Sequence, residues 1–187
     1  MKVDNTKYFE EFNLLIDRIK GQRIEKILCC LIEDQKPEDY RFGSIQGADF
    51  GFDFVIDSGE TFNIRVNQIG YSFGLHCGFD TIKNNINDGP KLWDLTSQDF
   101  VSQIINKPII EIEYKKVQNV AGRNFKDKIE FIDQVEILTE EDSFMVLAAE
   151  YLPDKDSLYL EADEATLIVG QSTLKKYKLK NATQQGV

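Results

Sequence analysis

The side chains best suited to nucleophilic or metal chemistry in this sequence are a single histidine, His76, and three cysteines, Cys29, Cys30 and Cys77. One imidazole excludes any centre that needs two and leaves at most one Cys–His pair. Cys77 directly follows His76, so in an extended segment the two side chains leave opposite faces. Cys29 and Cys30 are adjacent and lack the spacing with which two thiolates close on one ion. Free cysteine is among the most buried residue types. The expectation is therefore small buried thiols beside a loop histidine, with no metal and no cofactor. The odd cysteine count argues against a disulfide framework and fits a reducing compartment.

Carboxylates are plentiful: 32 Asp and Glu stand against 22 Lys and Arg, a formal charge of −10. Hydrolytic chemistry needs two carboxyls held at fixed separation in a cleft, one with a raised pKa, and spacing singles out no such pair. Asp163 and Glu164, ahead of the apolar run 165–169, could turn one acid inward; the commoner outcome is a charged strand entrance. Gly74 and Gly78 lack both the following Lys-Ser/Thr of a phosphate loop and a strand-turn-helix setting. The negative charge opposes a phosphate backbone or an anionic membrane, so neither nucleic acid nor membrane is an expected partner. The acid excess is concentrated in 127–164, where Glu140, Glu141, Asp142, Asp154, Asp156, Glu161 and Asp163 fall at inferred turns and strand ends. Solubility alone accounts for most acidic runs. The sharper reading is a surface for a basic protein partner, with these seven side chains reaching outward as its contacts.

The elements that position these residues follow from periodicity. Phe9, Phe12, Leu15, Ile16 and Ile19 form one apolar helical stripe over 6–20, which Asn5 or Thr6 caps and Gly21 ends. The β-branched run 23–33 reads as a strand and 37–47 as a loop. Phe52, Phe54 and Ile56, then Phe62, Ile64 and Val66, alternate about a Gly-containing turn and predict a hairpin. The Gly-rich run 70–79 and the polar stretch 84–90 read as linker. Ser97 caps a short helix carrying Phe100, Val101, Ile104 and Ile105. A strand over 108–117 follows, then a turn at 121–124, a second hairpin around Glu140, Glu141 and Asp142, and a strand or strand pair over 158–170. A last helical turn is expected at 172–177, ahead of a frayed tail at 181–187. Trp93 could anchor an interface, although burial between the halves is the commoner fate.

The same order of elements occurs twice. Residues 19–27 align with 104–112, and 55–64 with 137–146 across similar turns. The predicted class is α+β and β-rich: two related helix-plus-antiparallel-strand halves, 1–83 and 97–180, joined by a connecting loop at 84–96 and packed as one molecule. No apolar run reaches the ~18 to 20 residues of a membrane helix. The first five residues lack the apolar middle of a signal peptide, so the expected compartment is the cytoplasm.

The second half resembles a loose group of small uncharacterised bacterial proteins with duplicated halves, some similar to immunity proteins of polymorphic toxin systems. The resemblance is carried by Trp93, the helix at 100–105, the strand at 109–114, Val135-Glu136-Ile137-Leu138, the run 144–151, and Asp163-Glu164 ahead of Thr166-Leu167-Ile168-Val169. Asn106 and Lys107 stand where that pattern would carry glycine at the helix exit. The resemblance implies a non-enzymatic protein that neutralises a partner, here a basic one such as a toxin. Two other classes compete: a small-molecule binder or enzyme with a pocket between the halves near His76 and Cys77, and a self-associating structural subunit. A deep apolar pocket holding His76 would favour the first, and a large exposed apolar patch the second.

Overall fold

The computed structural model describes residues 6–69, 72–85, 90–120 and 128–184. The apolar stripe is the buried face of α1 (Thr6–Ile19), where Phe12, Leu15 and Ile19 are fully enclosed. Gly21, in the left-handed region at φ 84°, turns the chain out of the helix and into β1 (Ile24–Leu31).

The stretch expected to be a loop at 37–47 instead carries a 3-10 turn, Pro37–Tyr40, and two short strands, β2 (Arg41–Phe42) and β3 (Ile45–Ala48). All four residues of β3 are buried, Gln46 included. Alternation fails to reveal this strand because both of its faces are covered. The Gln46 Nε2 donates to Pro37 O and Gly47 O, while its buried Oε1 accepts no hydrogen bond from the described residues.

The first hairpin forms as expected, from β4 (Gly51–Ile56) and β5 (Thr61–Ile69). The glycine-rich run is not a linker, apart from Gly70 and Tyr71, which lie outside the described residues: β6 (Ser72–Gly78) pairs with β5 from Asn63↔Gly78 to Ile69↔Ser72. Its glycine serves close packing, since a Cβ on Gly74 would lie 2.7 Å from the Phe131 ring. β7 (Lys91–Asp94) occupies the region predicted to be a connecting loop.

Only a 3-10 turn, Asp99–Val101, forms where a helix is predicted after Ser97, although Val101 and Ile104 are buried as its pattern requires. The stretch is short and rich in β-branched residues, too little to propagate a helix. Asn106 leaves it with φ 60°, so asparagine fills the left-handed position that glycine would otherwise take. Three long strands and their return complete the chain: β8 (Ile109–Val120), β9 (Lys128–Thr139), β10 (Ser143–Leu152) and β11 (Ser157–Val169). The turn predicted at 121–124 lies outside the described residues. The expected last turn is a full helix, α2 (Gln171–Gln184), so part of the predicted tail is helical.

The strands form two antiparallel sheets, ordered β6-β5-β4-β1-β7 and β2-β3-β11-β10-β9-β8. Each holds a four-stranded meander in chain order, β1-β4-β5-β6 and β8-β9-β10-β11. The β2-β3 hairpin leaves the first meander to extend the second sheet, and β7 extends the first. The two sheets share one core, in which Phe52, Phe54, Phe62 and Ile64 meet Val135, Ile137, Phe144 and Leu167; the Phe54 and Phe144 rings are 5.6 Å apart. α2 covers the outer face of the second sheet through Leu174 and Tyr177, against Ile45, Met145, Leu147 and Ile168. α1 lies across one side of the sandwich, where the Tyr8 hydroxyl donates to Leu75 O in β6 and accepts from Ile132 N in β9, joining the sheets. No helix among the described residues is long and apolar enough to cross a membrane.

Candidate functional site

The chain crosses from one sheet to the other at Asp49 and Phe50. Ala48 is the last residue of β3 and pairs with Ala165, while Gly51 opens β4 opposite Arg65. This crossing requires glycine: Gly51 has φ 131°, and a Cβ there would sit 2.3 Å from Ile64 O. Asp49 is thereby held at the mouth between the sheets, its Oδ2 accepting from Ile32 N at 2.9 Å.

An irregularity in β11 brings further acids to the same place. Ala148 pairs with Ala165 but its neighbour Ala149 pairs with Leu160, so residues 161–164 have no partners on β10. Asp163 and Glu164 are carried on this excursion and line a cleft of about 360 Å³ with Asp49, Ile32, Phe50, Val66, Asn67, Gln68 and Phe73. No Lys or Arg is among these lining residues. Burial, then repulsion from Glu150, Asp49 and Asp163, raises the Glu164 pKa to about 7. The Asp49 carboxyl is also raised, chiefly by burial, with the Ile32 N–H opposing the shift. Among the described residues no group of three or more His, Cys, Asp or Glu side chains is arranged to hold a metal ion. The cleft is thus a partly desolvated carboxylate cluster with an apolar rim, suited to receiving a cation that carries hydrocarbon.

The seven acids predicted as outward contacts do not form one surface. Glu140, Asp154 and Asp163 are exposed. Glu141 is exposed but ion-paired to Lys107 at 2.5 Å. The outward placement of Asp142 is corrected: it is only 7% exposed, and its Oδ1 accepts from Ser143 N and Gln171 N, tying the β9-β10 turn to the first residue of α2. Asp156 is partly exposed, and its carboxylate accepts from the Tyr151 and Tyr177 hydroxyls and pairs with Lys176 at 2.7 Å. Its left-handed backbone at φ 46° aims it back toward α2. The side chain of Glu161 lies outside the described residues.

His76 and Cys77 occupy opposite faces of β6, opposite Arg65 and Ile64 respectively. The His76 ring packs on Tyr8 with centroids 4.8 Å apart. Burial, then Arg65, pushes its pKa down. Burial, then Glu11, pushes the Cys77 thiol up to about 12, so it stays protonated and unreactive near neutrality. Cys29 and Cys30 are likewise buried free thiols with raised pKa. Trp93 is half-buried on β7, with the Lys91 ammonium 3.9 Å from its ring centroid.

Sequence reasoning missed Asp49, which lies beside a stretch read as loop, and Glu150, which sits inside an apolar strand. The signal for Asp49 was the Asp-Phe-Gly step ahead of an alternating strand, marking a sharp change of direction. The signal for Glu150 was an acid ending the run 143–149, every residue of which is buried. Comparison with known protein families, with curated proteins and with solved structures finds no match.

Proposed function

We propose that this protein is a non-enzymatic binding module of the immunity type, which occludes a basic partner such as a toxin with the acidic cleft between its sheets. The observation that carries this reading is the cleft's composition: Asp49, Asp163 and Glu164 gather around an opening whose described lining contains no basic residue. A Lys or Arg of a partner would supply the countercharge, its stem lying against Ile32, Val66 and Phe73. Exposed Glu140 and Asp154 add to the net charge of −10 that would speed encounter with a positive surface. The proposed compartment is the cytoplasm, where free buried thiols remain reduced.

The test has two steps. The full chain, immobilised, is used to capture partners from a lysate of its host, and association is then timed at low and high salt. Recovery of a basic protein is expected. Glu150→Gln, Asp163→Asn and Glu164→Gln together should slow its association about tenfold at low salt, with a smaller effect at high salt. An unchanged rate, or recovery of no basic protein, overturns the reading.

We also infer that the two meanders descend from one duplicated unit. Residues 19–27 and 104–112, aligned by sequence, meet in an antiparallel bridge. Arg23 bridges Pro108, its own counterpart in that alignment. Gly21 N donates to Ile109 O, and Asn106 N donates to Ile24 O, two bonds that exchange under the same alignment. Gly21 and Asn106 both adopt positive φ. A duplicated dimer fused into one chain would leave such a seam.

A further inference from the structure

We propose that two copies of this chain associate by pairing their β8 strands antiparallel, joining the second sheets of both molecules into one. This inference is independent of the acidic cleft. β8 is a 12-residue strand at the outer end of the second sheet. Among the bonds of the described residues, only its first residue is closed off, because Ile109 exchanges backbone bonds with Gly21 and Gln22. Beyond it, no described strand pairs with the outer edge, which presents alternate N–H and C=O groups as a template for another strand. Ile110, at the start of this edge, is 47% exposed.

Charge order along β8 identifies the occupant. Ile112 and Tyr114 face α1 and the core, while Glu111, Glu113 and Lys115 are exposed on the opposite face. Acid therefore precedes base along the strand, a pattern complementary to itself when reversed. With a two-fold axis at Tyr114, Glu113 of each copy stands opposite Lys115 of the other, giving two cross-strand ion pairs. A slip of two residues one way sets Lys115 against Lys115, and a slip the other way sets Glu113 against Glu113 between two Glu111–Lys115 pairs. A slip of one exchanges the core and solvent faces. The register centred on Tyr114 makes its ion pairs without a like-charge contact, and because the contact is isologous it closes at two copies instead of growing into a fibre. Lys115 also approaches Asp133 of its own chain at 3.9 Å, a distance long enough to leave its ammonium shared.

Sedimentation velocity on the full chain at physiological ionic strength should reveal a concentration-dependent dimer, with Kd on the order of 10 to 100 μM for so small an interface. Glu113→Lys and Lys115→Glu should each weaken self-association about tenfold by making both pairs repulsive. An equimolar mixture of the two variants should restore it, because only the heterodimer sets opposite charges together. Since Lys115→Glu places a second acid beside Asp133, a measurement on the unmodified chain stands beside the variants: amide exchange over 110–118 should slow as concentration rises. A chain that stays monomeric up to about 1 mM, a dimer indifferent to either reversal, or a mixture no tighter than its components overturns the proposal.

Discussion

Glu164 is the residue whose chemistry is most altered by the fold. Its pKa of about 7 lies above the ordinary glutamate range because burial and three acidic neighbours penalise its charge. The folded state therefore holds a proton that the unfolded chain has released, and stability falls as pH rises from about 4.5 through 7. Glu164→Gln should raise stability at pH 8 by on the order of 1 kcal/mol, a figure reduced from the nominal shift because water reaches the cleft. The gain should shrink toward pH 5; urea unfolding at the two pH values checks it. A gain equal at both would show that packing, not charge, is responsible. The sequence reads Asp163 and Glu164 as acids at a strand entrance, whereas they lie within β11 and Glu164 is half-buried; their convergence with Asp49 was not legible. It depends on a sheet crossing and a bulge, both set by pairing across long distances in the chain. Asp142 failed as a surface residue for a related reason: nothing near it in sequence announces that α2 will begin against its carboxylate.

At the scale of elements, the strands flanking a recognisable turn were readable and the short or glycine-containing ones were not. β4 and β5, and β9 and β10, each have a turn between two apolar runs, so strand pattern and turn chemistry agree, although β10 is buried on both faces, under α2 as well as the core. β3 and β6 read as loops because Gly43, Gly47, Gly74 and Gly78 resemble turn residues, whereas two of them serve close approach: Tyr40 packs on Gly47 and Phe131 on Gly74. Gly51 combines close approach with a conformation that L side chains rarely adopt. Gly51→Ala should cost about 3 kcal/mol or more, since both the Ile64 carbonyl and the positive φ must yield. Thermal unfolding measures this, and a loss below about 0.5 kcal/mol would mean that the crossing tolerates a side chain. A severe effect should also displace Asp49 and weaken the cleft, so the stability loss and any binding loss should appear together.

The molecule as a whole was legible in class, α+β and rich in antiparallel strands, more than in partition; the second helix is α2 and not the segment after Ser97. Composition and pattern divide the chain near 84–96, yet that region carries β7 into the first sheet, and β2 and β3 leave the first meander for the second sheet. The second sheet therefore cannot be built from one side of that division, and the first, although its strands all fall within 1–96, has its core face packed on the second. Fragments 1–96 and 97–187, expressed separately, should lack cooperative unfolding, while a mixture should recover it; far-UV circular dichroism and a thermal melt suffice to decide. A fragment that melts cooperatively alone would contradict the interlocking. Strand exchange also sets a schedule for synthesis. Ile45 is translated early, but its sheet partner Ile168 appears more than a hundred residues later. The nascent chain must carry β2 and β3 without their neighbour for most of its emergence, in competition with any other strand that reaches them first. Folding is therefore expected to finish only once β11 has emerged, at a pace governed by long-range closure, and a chaperone that shields strand edges would find its substrate here.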